Sequence, residues 1–364
     1  MSLADLVVVA MSGGVDSSVA AALLKERGFN VIGVTLNIWP EPSTAAVESR
    51  HAACCSLDSV GDARTVADKL GIPHYTLNMR DLFDRAVVRD FLREYRRGRT
   101  PNPCVRCNRF VKFEGLLAKA RALGARFLAT GHYARIGRSS NGRFTLRKAL
   151  DPSKDQSYAL CFLTQEQLAS TLFPLGDLTK TETREIASRL GLSTAQKPES
   201  QEICFVNGSY GDFLMAKEPA IAVPGPIKNR DGQVLGTHQG IAFYTVGQRK
   251  GLGIAVGRPL YVTEIDPREN TVTVGEWDDL YARGLIAEDI NWVSMDETKD
   301  AIRASVRIRY KASAVAATAQ LQPDGSMRID FDDPQRAVTP GQTVVLYKHD
   351  EVIAGGTISK AIGC

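Results

Sequence analysis

The chain has 364 residues, which is long enough for two or three domains of ordinary size. A hydrophobic fraction of 44% and a charged fraction of 24% are typical of globular proteins, and they exclude a disordered or fibrous chain. No apolar run approaches the roughly 20 residues of a transmembrane helix, and the net charge of +4 does not by itself predict a polyanionic partner.

Residues 1–14 contain no basic leader and no long apolar run, so we expect no secretory signal and a cytoplasmic protein. Short β-rich runs then alternate with amphipathic helices. The predicted strands are 6–10, 31–38, 74–78 and 127–130, and the predicted helices are 16–27, 62–70, 81–97 and 110–123. This alternation is typical of a doubly wound parallel sheet. The sequence therefore predicts an α/β nucleotide-binding domain, to which we assign residues 1–206.

The rest of the chain is poorer in helical periodicity. Two short helices are predicted at 165–172 and 182–190, still within the first domain. Eight glycines between residues 225 and 257 are typical of tight turns between short strands, so we predict a central β domain at 207–280. Further β-rich runs, at 304–308, 327–331, 343–347 and 352–358, are separated by Asp, Pro and Gly. They predict a C-terminal β-barrel at 281–364, with a sandwich as the alternative.

The segment from Ser12 to Ser17 runs from the first strand directly into the first helix. Gly13 and Gly14 allow consecutive backbone N–H groups to face an anion, and the serine hydroxyls and the helix dipole favour the same anion. The segment lacks the lysine of a Walker loop and the spacing of a dinucleotide fingerprint. Such a cradle suits pyrophosphate as a leaving group, with Asp16 placed to bind Mg²⁺. A plain helix-capping turn explains these residues singly but not together.

The sequence Ser12-Gly-Gly-Val-Asp-Ser17 resembles the PP-loop of the ATP pyrophosphatases. The resemblance implies that ATP is cleaved between its α and β phosphates to adenylate a carbonyl oxygen. It does not identify the acceptor.

Two of the seven cysteines, Cys104 and Cys107, lie three residues apart on a proline-rich loop that precedes a predicted helix. The basic residues around them favour the reactive thiolate. A zinc site would need two further ligands, and no second Cys or His pair supplies them. Cys204 lies between Ile and Phe, which alone indicates a core position. The remaining cysteines are predicted to take no part in chemistry: Cys54, Cys55, Cys161 and Cys364.

Seven motifs in order along nearly the whole chain resemble those of the tRNA-uridine 2-sulfurtransferase family. They are SGGVDS (12–17), RTPNPC (99–104), ATGHYAR (129–135), KDQSYAL (154–160), ICF (203–205), TVGQRKGLG (245–253) and VTPGQ (338–342). The resemblance implies that ATP and Mg²⁺ are used to adenylate the C2 oxygen of the wobble uridine 34 of tRNA. Sulfur then replaces that oxygen, giving 2-thiouridine, AMP and pyrophosphate.

The resemblance also implies roles for three cysteines. Cys204 matches the position that carries a persulfide, and Cys107 matches the one that releases the sulfur by forming a disulfide with Cys204. The position of Cys104 is often an aspartate in the family, proposed there as a general acid or base. Because the persulfide relay leaves Cys104 unexplained, an alternative stays open in which Cys104, Cys107 and Cys204 hold an iron–sulfur cluster that binds hydrosulfide.

Binding residues are implied residue by residue. ATP contacts match Ala10, Met11, Ser12, Gly13, Gly14, Val15, Asp16, Ser17, Leu36 and Gly131. Contacts to the target base or its tRNA match Asn102, Pro103, His132, Lys154, Asp155, Gln156, Arg309, Tyr310 and Gln342. The expected partners are the anticodon stem-loop of tRNA and a sulfur donor such as a cysteine desulfurase or a sulfur-relay protein, with no membrane.

Two basic stretches agree with an RNA partner. Residues 93–112 carry seven basic side chains against the single acid Glu94, and a second strip surrounds Tyr310, which can stack on a base. Two other functions account for fewer of these features. A PP-loop ligase that acts on a small metabolite gives the cysteines no role, and a non-catalytic RNA-binding protein with a structural metal does not explain the phosphate loop.

Overall fold

The computed structural model describes residues 5–38, 57–198, 203–206 and 208–363. The α-helices are α1 Val15–Glu26, α2 Leu57–Leu70, α3 Arg80–Phe83, α4 Arg89–Arg96, α5 Pro103–Arg106, α6 Leu117–Ala122, α7 Gln165–Ala169, α8 Lys180–Arg189 and α9 Tyr210–Lys217. The strands are β1 Leu6–Ala10, β2 Asn30–Asn37, β3 His74–Asn78, β4 Phe127–Thr130, β5 Ala134–Arg138, β6 Phe144–Lys148, β7 Thr171–Leu172, β8 Gly225–Lys228, β9 Val234–His238, β10 Tyr261–Asp266, β11 Thr271–Gly275, β12 Tyr281–Trp292, β13 Ile302–Arg307, β14 Val315–Leu321, β15 Met327–Arg336, β16 Thr343–Lys348 and β17 Glu351–Gly363.

The first sheet is parallel and has the strand order β3-β2-β1-β4-β7. Alternate residues of β1 face opposite sides, so Val8 packs in one hydrophobic cluster while Val7 and Val9 pack in another. The second cluster contains side chains of α1, α2 and α8, and the first contains side chains from the helical segments at 80–96 and 103–122. Because helices cover both faces, the prediction of a doubly wound parallel sheet is confirmed.

The helix predicted at 110–123 begins earlier, at Pro103. Asn102 is the N-cap, since its side-chain oxygen accepts a hydrogen bond from the backbone N–H of Val105 at 3.3 Å, and a proline is favourable in the first turn. The segment Cys107–Leu116 is π-helical, a form that often occurs at functional sites. Cys104 and Cys107 therefore lie in the first turns of a helix, and the prediction of a loop there was wrong.

The helix predicted at 165–172 is too long. It ends at Ala169, and residues 171–172 form the edge strand β7 beside β4. The backbone N–H of Leu128 reaches the carbonyl of Ser170 at 2.9 Å, so pairing at the open edge of β4 takes precedence over the helical pattern.

The central sheet has the order β10-β11-β8-β9, and its apolar side chains belong to a separate, small hydrophobic cluster. Six of the eight glycines counted between 225 and 257 have a positive φ, as turns require. The other two, Gly225 and Gly236, lie within β8 and β9.

The C-terminal strands form a closed barrel in the order β12-β15-β14-β13-β16-β17, because β17 also pairs with β12. The predicted barrel is thus confirmed and the sandwich is not. The hairpin β5–β6, from the first half of the chain, extends this sheet through a pairing of Arg147 with Glu351 on β17. The domain limits at residues 206 and 280 stay predictions. Among the helices of the described ranges, none has the length and apolar character that a bilayer crossing requires.

Candidate active site

The phosphate loop joins β1 to α1 at the carboxyl edge of the parallel sheet. Gly13 has a φ of +69°, and a Cβ there would lie 2.2 Å from the carbonyl oxygen of Ser59. Gly131, which follows β4, is equally tight, since a Cβ would lie 2.6 Å from the backbone nitrogen of Ser17. Only glycine lets α2 and β4 approach the loop this closely.

Hydrogen bonds within the loop hold its shape. The Ser12 N–H donates to Ser17 Oγ at 3.1 Å, and the hydroxyls of Ser17 and Ser18 donate to the Gly14 carbonyl at 3.2 and 2.9 Å. Leu36 is buried near the end of the adjacent strand β2. The structure therefore brings together the residues implied for ATP binding, which are residues 10–17, Leu36 and Gly131.

Two lysines that the sequence analysis missed reach this loop. Lys180 Nζ donates to Asp16 Oδ1 at 2.7 Å, beside the Tyr133 hydroxyl, which donates to the same oxygen at 2.8 Å. Lys197 Nζ donates to the Gly13 carbonyl at 3.1 Å and to Asp62 Oδ2 at 2.5 Å. The Asp16 carboxylate fits a Mg²⁺ ion shared with nucleotide phosphates, because Mg²⁺ is usually held by one or two carboxylates together with phosphate oxygens.

The three candidate cysteines are thiols in the structure. Cys104 is exposed, whereas Cys107 and Cys204 are half-buried and pack against the same hydrophobic cluster. The Phe205 ring next to Cys204 lies 5.6 Å from the ring of Phe83 and 5.3 Å from that of Phe91. Both half-buried cysteines therefore lie on the helical layer that covers one face of the parallel sheet.

The iron–sulfur alternative requires three thiolates around one site. Within the described ranges, no group of three or more His, Cys, Asp or Glu side chains is arranged to hold a metal ion. In the described part of the chain, the structure thus shows no cluster site at Cys104, Cys107 and Cys204.

Of the four cysteines predicted to take no part in chemistry, the structure describes one. Cys161 is buried, and burial raises the pKa of its thiol, which keeps it in the unreactive form. Cys54, Cys55 and Cys364 lie outside the described residues.

Tyr310 forms the exposed part of a polar cluster near Cys104. Tyr310 is 40% exposed, and its ring lies 6.0 Å from the ring of Tyr158. Burial of its hydroxyl raises the pKa of Tyr310, and the negative charges of Asp155 and Cys104 act in the same direction, while Arg307 and Lys154 oppose them. The structure thus brings together four residues implied in base recognition or catalysis: Cys104, Lys154, Asp155 and Tyr310.

Asp155 is buried and organises this cluster. Its Oδ1 accepts from the backbone N–H groups of Ala149 and Ser157 at 3.2 and 3.1 Å. Its Oδ2 accepts from the Ser157 hydroxyl at 3.0 Å and from Arg307 Nη1 at 3.2 Å. Gln156 is likewise engaged with protein, because its Oε1 accepts from the Tyr133 N–H at 2.9 Å.

Other residues implied in tRNA binding also contact protein. Gln342 Nε2 donates to the carbonyls of Thr100 and Pro101 at 2.8 and 3.4 Å. Asn102 and Pro103 follow directly and begin the helical segment 103–122 that carries Cys104 and Cys107, here called the cysteine helix. Arg309 is half-buried, and its Nη2 donates to the carbonyl of Arg336 at 3.1 Å.

His132 does not face solvent. It is buried between the rings of Phe113 and Phe173, each centred 6.0 Å away, and its Nδ1 lies 2.6 Å from Thr130 Oγ1. Burial, together with the positive charge of Lys112, lowers the pKa of His132 well below its usual value. The imidazole is therefore neutral at physiological pH.

Acids offset much of the basic stretch at 93–112. Arginines of this stretch form ion pairs with acids that lie outside residues 93–112. Arg93 and Arg106 pair with Asp90, Arg96 pairs with Glu218, and Arg99 and Arg109 pair with the barrel residues Glu288 and Asp289, respectively. Several of these pairs line a groove of about 380 Å³ beside Asn102. The charge count along the sequence therefore overstates the free positive charge of this surface.

Comparison with known proteins shows which protein families the chain matches. Residues 5–208 match the family described as the tRNA methyl transferase HUP domain. Residues 212–276 match the tRNA methyl transferase PRC-barrel domain, and residues 282–358 match the aminomethyltransferase β-barrel domain. A solved 4-thiouridine synthetase–RNA complex with bound ATP aligns with 55% of this chain and 45% of that chain, at 20% identity and a TM-score of 0.34.

The full-length relatives are much closer. The chain is 54% identical to the tRNA-specific 2-thiouridylase MnmA of Heliobacterium modesticaldum, over 97% of this chain and 92% of that protein. It is also 54% identical to the protein of the same name from Moorella thermoacetica, over 96% and 98%. Identity above one half extends along nearly the whole of both chains, and the chain therefore belongs to the tRNA-specific 2-thiouridylase family.

Proposed function

We propose that this tRNA sulfurtransferase of the PP-loop class adenylates the C2 oxygen of wobble uridine 34 and then replaces that oxygen with sulfur carried as a persulfide on Cys204. ATP and Mg²⁺ are the co-substrates, and AMP, pyrophosphate and 2-thiouridine are the products. Residues 10–17, Leu36 and Gly131 bind the nucleotide, and Asp16 takes part in holding Mg²⁺.

The observation that carries the proposal is that two consecutive residues, Gly131 and His132, contact the phosphate loop and the cysteine helix, respectively. Gly131 touches the loop at Ser17, and the next residue, His132, contacts Phe113 of the helical segment that contains Cys107. The segment with Cys204 packs on the same helical layer. These contacts support binding of an activated uridine between the phosphate loop and the helical layer on which Cys107 and Cys204 lie.

The chemistry balances with these groups. The C2 oxygen of uridine attacks the α-phosphorus of ATP, and the bond to pyrophosphate breaks, with its electron pair leaving on pyrophosphate. The Cys107 thiolate then attacks the inner sulfur of the Cys204 persulfide, forming a Cys107–Cys204 disulfide and releasing hydrosulfide. Hydrosulfide attacks C2 and AMP departs with the electrons of the C–O bond. A dithiol reductant reopens the disulfide, and a sulfur donor such as a cysteine desulfurase or a relay protein restores the persulfide.

The tRNA-contacting residues are assigned in the same way. Tyr310, Lys154 and the cysteine-helix residues Asn102 and Pro103 meet the target base and its neighbours. Arg309, Gln342, Asp155, Gln156 and His132 shape that surface through the protein contacts described above. Cys104, next to Tyr310, stands where the family often has an aspartate, and we assign it to proton transfer at the base.

The test uses unmodified tRNA, ATP, Mg²⁺, a cysteine desulfurase with cysteine, and a dithiol, followed by nucleoside mass spectrometry. Cys204→Ser and Cys107→Ser are expected to abolish 2-thiouridine but to retain tRNA-dependent exchange of pyrophosphate into ATP. The control is Cys161→Ala, which removes a buried thiol and is expected to leave the rate within about threefold of wild type. Normal thiolation by Cys204→Ser would contradict the assignment of the sulfur carrier.

A further inference from the structure

Two ammonium groups converge on the phosphate loop from parts of the chain that lie far away in sequence. Lys180 is the first residue of α8, and Lys197 follows that helix. Their Nζ atoms bond to Asp16 Oδ1 at 2.7 Å and to the Gly13 carbonyl at 3.1 Å. The loop itself contains no lysine.

The surroundings of Lys180 are unusual for a lysine that serves only solubility. Its side chain is 12% exposed, and its Nζ lies 5.7 Å from the centre of the Tyr133 ring. Lysine is seldom this buried unless its charge is matched. The match is provided by Asp16, the loop residue already assigned to the Mg²⁺ that accompanies a nucleotide.

Lys197 is held in a similar way on the other side of the loop. Its Nζ bridges the Gly13 carbonyl and Asp62 Oδ2, the latter at 2.5 Å, and its side chain is 31% exposed. Both contacts are to oxygen acceptors that a phosphate oxygen can replace. Each ammonium therefore lies within a short side-chain movement of an anion bound to the N–H groups of the loop.

We propose that Lys180 and Lys197 bind the β- and γ-phosphates of ATP and stay with pyrophosphate as it leaves. In a Walker loop this role belongs to a lysine of the loop itself. When the bond from the α-phosphorus to the bridging oxygen breaks, the electron pair moves onto pyrophosphate, and two ammonium groups stabilise the added charge. The inference depends on the proposed use of ATP by this loop and extends it to two residues outside the loop.

A purely structural role makes a different prediction. If the two lysines only hold the loop in shape, their loss weakens binding of every adenine nucleotide alike. If they bind the β- and γ-phosphates, their loss weakens ATP and pyrophosphate binding but spares AMP, which lacks those phosphates.

The experiment measures dissociation constants of the full-length protein for ATP, pyrophosphate and AMP in the presence of Mg²⁺ by calorimetry. For Lys180→Gln and Lys197→Gln, we expect the constants for ATP and pyrophosphate to rise about ten- to a hundredfold each, the usual effect of losing a charge-assisted hydrogen bond. The constant for AMP is expected to stay within about twofold. Lys180→Arg and Lys197→Arg, which keep the charge, are expected to recover part of the loss.

Two control variants separate the alternatives. Lys69→Gln removes a lysine that donates to the Gly191 carbonyl at 2.6 Å on the exposed surface, and it is expected to change none of the constants. Asp62→Asn removes the structural partner of Lys197 but keeps the ammonium, so pyrophosphate binding is expected to persist.

Equal losses for AMP and ATP in the lysine variants would overturn the inference, as would unchanged ATP binding. Loss of pyrophosphate binding in Asp62→Asn as large as in Lys197→Gln would overturn it for Lys197. Thermal unfolding of each variant confirms that the chain is folded. If a glutamine variant is not folded, the corresponding arginine variant is used in its place. A wild-type protein that binds neither ATP nor AMP would contradict the proposed function itself, a result distinct from all of these.

Discussion

Replacement of a single glycine tests whether the phosphate loop depends on its closeness to α2. Gly13 and Gly28 flank α1, and both have a positive φ, +69° and +84°. They differ in their surroundings, because a Cβ at residue 13 meets the carbonyl oxygen of Ser59 at 2.2 Å, whereas a Cβ at residue 28 meets nothing within 4 Å. Gly28→Ala is thus a matched control for Gly13→Ala.

The two substitutions share one cost and differ in another. An alanine in the left-handed region destabilises the folded state by about 1–2 kcal/mol at either position. At Gly13 the new methyl must also move away from the Ser59 carbonyl by about 1.2 Å to reach the 3.4 Å of an ordinary contact. A displacement of about 1 Å in a group that positions a reactant can reduce the rate by about a hundredfold.

The assays are urea denaturation, calorimetric binding of ATP, and formation of 2-thiouridine in tRNA. Gly28→Ala is expected to lose about 1–2 kcal/mol of unfolding free energy and to keep wild-type ATP affinity and rate. Gly13→Ala is expected to lose more stability and about a hundredfold in rate. Equal stability in the two variants, with normal ATP binding by Gly13→Ala, would refute the steric reasoning.

Three further outcomes are expected. Because the pKa of His132 is lowered in the folded protein, the unfolded state takes up a proton at a higher pH than the folded state does. The free energy of unfolding should therefore fall as the pH drops below about 6.5, by up to about 1.4 kcal/mol per pH unit. In His132→Gln this fall should be less steep. Gln342→Glu removes the N–H groups that bind Thr100 and should cost about 1–3 kcal/mol in urea denaturation, with AMP affinity unchanged. Asp289→Asn releases Arg109 from its ion pair, and asparagine tolerates the positive φ of 53° at this position. The affinity for tRNA, measured by fluorescence anisotropy, should therefore rise, and the slope of log affinity against log salt concentration should steepen by about 0.7. An unchanged slope would count against a contact between Arg109 and a phosphate.

The sequence was most informative where structure depends on neighbours along the chain. The phosphate loop and the strands on either side could be predicted because glycine conformation and apolar periodicity are local properties. The early start of the cysteine helix was also within reach, since Asn102 followed by Pro103 is a favourable N-cap and first helical residue.

The remaining features depend on tertiary contacts that spacing along the chain does not encode. Lys180 and Lys197 lie more than 160 residues from the loop that they contact. The capping box at Thr179 could locate the start of α8, but not the element that this start faces. The barrel acids Glu288 and Asp289 are likewise remote from the arginines that they neutralise.

These remote contacts give the barrel a structural role in addition to the tRNA-facing role proposed for it. Gln342 binds the carbonyls just before Asn102, and Glu288 pairs with Arg99 at 2.7 Å in the same segment. Both contacts fix the start of the helix that presents Cys104 and Cys107. On the proposed function, a tRNA phosphate that binds Arg99 in place of Glu288 removes one of the barrel contacts of this segment, while the contact of Arg99 with the Ile358 carbonyl can persist. If tRNA docks on the barrel as proposed, that docking and the positioning of Cys104 and Cys107 depend on the same stretch of backbone, at Thr100.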